Sequence, residues 1–134
     1  MANKLLILTI GAMTGVALMA NAAGKIDTSK VAPASTKKGL TYDKDIKPIF
    51  EASCFKCHGA EKQKGKLRLD SLAAALKGGE NGKSILPGKG VDSPLVHSVA
   101  RLVPDDAMPP EDKGKPLTKD QVGLIRAWID QGAK

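Results

Sequence analysis

Cys54 and Cys57 are the only thiols in the chain, and one of its two histidines, His58, follows them directly. Few chemistries use the run Cys-Phe-Lys-Cys-His. A structural zinc site needs four ligands, and the chain offers no further cysteine and only His97 besides. A redox dithiol pair belongs at a strand-helix junction in a βαβ setting, and no convincing strand pattern is present. A disulfide across two residues closes too small a loop to stabilise much. The remaining chemistry is covalent haem. Two thiols add to the two vinyl groups of a porphyrin, the two-residue spacing lets one turn of chain reach both, and the histidine binds the iron from the proximal side. The run is therefore read as the attachment site of one haem c, with His58 as an axial ligand.

The second axial ligand decides between passing electrons and binding small molecules at the iron. Of the four methionines, Met1, Met13 and Met19 lie in the N-terminal apolar segment, and Met108 stands in Met-Pro-Pro. Two prolines stiffen that loop, a suitable way to present a weak thioether ligand. Met108 is the favoured sixth ligand over filling a gap in the core. His97, between Val96 and the nearby Val99, is the rival.

The elements that must position these residues are read as helices. Ile46, Ile49 and Phe50 mark one face of a helix running into Cys54. Ser71 to Leu76 has a cap at Asp70 or Ser71 and a glycine stop. Ser93-Pro94 opens a third helix carrying Leu95, Val96, Val99 and Leu102. The last has a capping box at Thr118 and Gln121, a staple from Leu117 to Val122, and a buried stripe of Val122, Ile125, Trp128 and Ile129 ended by Gly132. The fold class is all-α, with long glycine- and proline-rich connections.

Residues 1–22 have a short basic start, an apolar run and a small-x-small site at Ala20-Asn21-Ala22, a secretory signal peptide rather than a membrane anchor. Residues 23–40 are small, polar and basic, a flexible leader. The domain proper is 41–134. Cleavage removes one charged side chain, Lys4, and lowers the net charge from +7 to +6. An exported basic chain calls for acidic partners or anionic surfaces, and its scattered lysines without interleaved aromatics argue against nucleic acid. Lys56, Lys62, Lys64 and Lys66 cluster in and after the haem motif, either as a solubilising face or as a docking surface for an acidic redox partner. Only four aromatics remain, Tyr42, Phe50, Phe55 and Trp128, so a haem macrocycle would serve as core. Gly82-Lys83-Ser84 lacks the spacing of a phosphate-binding loop. The acidic residues around Asp105 lack that of a calcium loop.

From Tyr42 to Ala133 the sequence resembles the cytochrome c domain typical of planctomycetes and related bacteria. The resemblance rests on D-I-K-P-I-F, C-F-K-C-H-G, K-G-K-L-R-L-D-S, A-L-K-G-G-E-N-G-K-S-I-L-P-G, M-P-P and L-I-R-A-W-I-D-Q-G-A. It implies a cytochrome c-like helical fold wrapped around one covalent haem, with His58 and Met108 as axial ligands. It also implies a crossing of the first and last helices near Phe50 and Trp128, and Arg68 near a haem propionate. Lys66 stands where this family leads one to expect glycine. The function expected is that of a periplasmic, monomeric electron carrier without enzymatic activity. The alternatives are a haem enzyme or small-ligand sensor with a displaceable sixth site, and a docking subunit of a larger redox assembly.

Overall fold

The computed structural model describes residues 25–134. The expected signal peptide, 1–22, lies outside the described residues. Among the described residues five α-helices follow one another: α1 (Lys47–Ser53), α2 (Phe55–His58), α3 (Leu72–Lys77), α4 (Pro94–Val99) and α5 (Lys119–Asp130). No strand occurs among the described residues, only isolated bridges at His58 with Gln63 and at Gly79 with Gly82. The all-α expectation holds. No helix among these residues is long and apolar enough to cross a membrane.

The helix signals read from the sequence act locally, and most hold. A π-helical turn, Tyr42–Ile46, leads into α1 and leaves Pro48 in the first helical turn, where its missing N–H costs nothing. Ser71 caps α3 by accepting from the Ala74 N–H at 3.2 Å. Thr118 and Gln121 form the full capping box on α5, with reciprocal bonds of 3.2 and 2.9 Å. The third helix is shorter than expected. It ends at Val99, leaving Leu102 half-buried in the following loop.

The core lies where α1 and the turn before it meet α5. Phe50 and Trp128 are fully buried and meet edge to face, with ring centroids 6.5 Å apart and planes at 83°. Tyr42 completes the cluster at 6.3 Å from Phe50 and 6.1 Å from Trp128. Such pairs add roughly 0.5–1.5 kcal/mol beyond the area they bury. The Tyr42 hydroxyl donates to the Leu69 carbonyl at 2.6 Å, which ties this core to the run 67–69. Ile46, Ile125 and Ile129 are likewise fully buried around it.

Residues 31–40, expected to belong to a flexible leader, instead pack along α5. Val31 and Leu40 are buried. The Ser35 N–H donates to the Gly123 carbonyl at 2.9 Å, and Arg126 donates to the Ala32 carbonyl at 3.0 Å. The Gln131 amide donates to the Lys37 carbonyl at 2.8 Å. Gly123 permits this approach, because a Cβ there would stand 2.5 Å from the Pro33 carbonyl oxygen. The sequence carries no periodic signal for this packing because the leader joins α5 through its backbone.

Candidate functional site

Cys54 is the kink between α1 and α2. Its φ of −126° breaks the helix, while its N–H still donates to the Phe50 carbonyl at 2.7 Å. Its carbonyl then receives both the Cys57 and His58 N–H groups, at 3.1 and 2.9 Å. One tight turn thus carries Cys54, Cys57 and His58 to the same side. All three line a cavity of about 380 Å³, within the size range of small-molecule and cofactor sites. Its apolar walls include Leu67, Leu69, Leu95 and Val99. Among the described residues no phenylalanine, tyrosine or tryptophan lines it. Three of the four aromatics stand together at the crossing of α1 and α5 instead.

Met108 lines the same cavity with Pro109 and Pro110, and its N–H donates to the Ser98 carbonyl at the end of α4, at 3.0 Å. The residues favoured in the sequence, Cys54, Cys57, His58 and Met108, therefore meet in one place. The His58 ring turns Nδ1 toward the Leu67 carbonyl at 3.3 Å. A nitrogen facing a carbonyl carries the proton, so Nε2 keeps its lone pair for a metal.

Burial, and then the neighbouring Cys57, push the Cys54 thiol up to about 12. Both cysteines are free rather than joined to each other. Among the described residues no group of histidine, cysteine and carboxylate side chains could hold a metal ion by itself. The donor set fits a macrocycle that brings its own metal: two thiols one turn apart, one imidazole nitrogen, one thioether and apolar walls.

Two expected residues stand elsewhere. Leu67 and Leu69 line the cavity, and Arg68 between them does not. Its guanidinium grips Asp70 through two bonds, at 2.9 and 2.6 Å. The propionate role implied for Arg68 is therefore not supported by its position. His97, the rival ligand, donates from Nε2 to the Val91 carbonyl at 2.7 Å and does not line the cavity. It ties α4 to the preceding loop. Lys66, in the place where glycine was expected, has a φ of +56°, the left-handed region that favours glycine.

The Arg68 guanidinium holds the Asp70 carboxyl below the usual range, and Lys37 does the same for Asp45. A carboxyl lowered in the folded state contributes stability above its unfolded value of about 3.9, and that contribution is lost as pH falls through the folded value. The thermal midpoint should therefore drop as pH is taken from about 5 to about 2. In Asp70→Asn that drop should be smaller. An identical acid profile in the variant would remove Asp70 from this account.

Sequence reasoning missed the Leu67 carbonyl that orients His58, although the Leu-Arg-Leu alternation was a signal for two cavity-lining leucines. It also missed Arg101, whose side chain reaches the methionine loop; nothing in the local sequence marks that role.

The family model described as Planctomycete cytochrome C matches residues 54–112. The match includes both cysteines, His58 and Met108, and leaves α1 and α5 outside it. No curated protein and no solved structure matches the chain. Its paired thiols, histidine and methionine all fall inside the matched segment, so over residues 54–112 the chain is similar to the planctomycete cytochrome c family.

Proposed function

We propose that this protein is an exported, periplasmic monohaem c-type cytochrome that carries single electrons between redox partners. The observation that carries the reading is the convergence of Cys54, Cys57, His58 and Met108 on one apolar cavity. Haem, when bound, supplies an iron that gains or loses one electron. Cys54 and Cys57 would hold the macrocycle through thioethers. His58, oriented by the Leu67 carbonyl, would hold the iron through Nε2. Met108 would offer its sulfur as the second protein ligand, as suits electron passage rather than chemistry at the iron. Leu67, Leu69, Leu95 and Val99 keep water from the site and help set the potential. The fold would wrap one haem as a monomer.

Lys56, Lys64 and Lys113 stand on the cavity rim. Lys113 is paired with Asp112, which leaves Lys56 and Lys64 as the outward positive charges there, with Asp106 as an outward negative one. They favour brief docking of an acidic redox protein at the edge where electrons would cross, with steering that weakens as salt rises.

Small charged redox complexes test this directly. Replacing Lys56 and Lys64 together by glutamate should slow electron exchange with an anionic iron cyanide complex by about an order of magnitude at low salt. Exchange with a cationic ruthenium ammine complex should speed up. Equal rates in the parent and variant chains would show that electrons cross elsewhere.

A further inference from the structure

Helices α4 and α5 end in the same way with different residues. After α5, the Ala133 N–H reaches back to the Trp128 carbonyl at 3.0 Å and the Gly132 N–H to the Ile129 carbonyl at 2.9 Å. After α4, the Leu102 N–H reaches the His97 carbonyl at 3.0 Å and the Arg101 N–H the Ser98 carbonyl at 3.1 Å. Both are Schellman endings, which place one residue in the left-handed region. In α5 the residue at that position is Gly132, with a φ of +105°, and Ala133 follows it at +54°. In α4 it is Arg101, with a φ of +58° and the steric penalty that glycine escapes.

The Arg101 side chain has a use that glycine could not supply. Its Nη1 donates to the Pro109 carbonyl at 2.9 Å, and Nη2 donates to Glu111 at 3.3 Å. Glu111 is almost fully exposed, so that arm adds little. The Pro109 arm is charge-assisted and partly buried, and it holds the residue next to Met108. Pro109 and Pro110 have no N–H of their own to anchor the loop. Met108 itself is tied through its N–H to Ser98, whose carbonyl also closes α4. The end of α4 therefore grips the methionine loop twice, once by backbone and once by the arginine.

We infer that Arg101 is a positioning residue for Met108, fastening the Met-Pro-Pro loop to the end of α4 so that the thioether stays at the cavity. The inference rests on the proposed ligation by Met108. Without the clamp the loop swings outward more often, and the sixth position opens to external ligands.

The test uses the haem-loaded protein and the variants Arg101→Gly and Arg101→Lys. Three properties are measured: the far-red absorption of sulfur bound to ferric haem, the rate at which the ferric protein takes up imidazole, and hydrogen exchange at the Met108 amide. Arg101→Gly relieves the backbone penalty, so its thermal midpoint should hold or rise. Its imidazole uptake and Met108 exchange should both accelerate about tenfold or more, with a weakened far-red band. Arg101→Lys, which keeps one charged donor, should fall between. A far-red band in the parent together with unchanged uptake and exchange in Arg101→Gly would overturn the clamp and leave ligation by Met108 standing. A parent without the far-red band would overturn that ligation and the inference with it. A midpoint in Arg101→Gly that falls in step with the band would reduce Arg101 to a structural role and overturn the inference as well.

Discussion

Exchanging both Cys54 and Cys57 for serine should abolish covalent pigment altogether. The parent chain, made in a host that attaches haem, should keep its colour after denaturation and solvent extraction, and its mass should exceed that of the bare polypeptide by one haem. The double variant should give up any pigment to the solvent and show the bare mass. The expectation follows from the geometry of one turn: the Cys54 carbonyl receives the N–H groups of both Cys57 and His58, so both sulfurs and the imidazole share one side. Single variants should keep one thioether and bind less pigment, because the second anchor and the histidine remain. Pigment held equally well by the double variant would mean that the cavity binds haem without using its thiols.

Trp128→Ala should be the most damaging substitution to stability, at about 3–5 kcal/mol, the usual cost of removing a fully buried large aromatic. For a domain of this size that corresponds to a fall of roughly 12 °C or more in the thermal midpoint. Trp128 is fully buried, packs on Phe50 and Tyr42, and donates from Nε1 to the Lys134 carbonyl at 3.0 Å. It does not line the cavity. The spectrum of the folded variant at low temperature should therefore match that of the parent, so stability and ligation separate. Trp128→Phe should lose less, keeping most of the ring contact but leaving that carbonyl with only its bond from the Tyr42 N–H. A Trp128→Ala chain as stable as the parent would mean that the crossing of α1 and α5 is not the main core.

The parts of this molecule that were legible in the sequence are those coded within one or two turns. The turn that carries Cys54, Cys57 and His58, the Thr118 capping box and the stripe ending at Ile129 each need only their immediate neighbours, and each is formed in the structure. Contacts between distant segments were not legible. The run 31–40 looks like a leader because its own residues are small and polar; its order comes from Gly123, Arg126 and Gln131 on a helix far along the chain. Arg68 was assigned by likeness, while its guanidinium grips Asp70. Arg101 carries no local signal because its purpose lies in the Pro109 carbonyl.

The proposed function requires that His58 and Met108 hold the iron of a haem bound to Cys54 and Cys57. The visible absorption spectrum of the exported protein, oxidised and then reduced, tests it most directly. The account predicts c-type bands in the reduced form and, in the oxidised form, the weak far-red band of sulfur bound to ferric haem. C-type bands without the far-red feature would contradict ligation by Met108, and the absence of haem bands from a host able to attach haem would contradict the whole reading of Cys54 to His58.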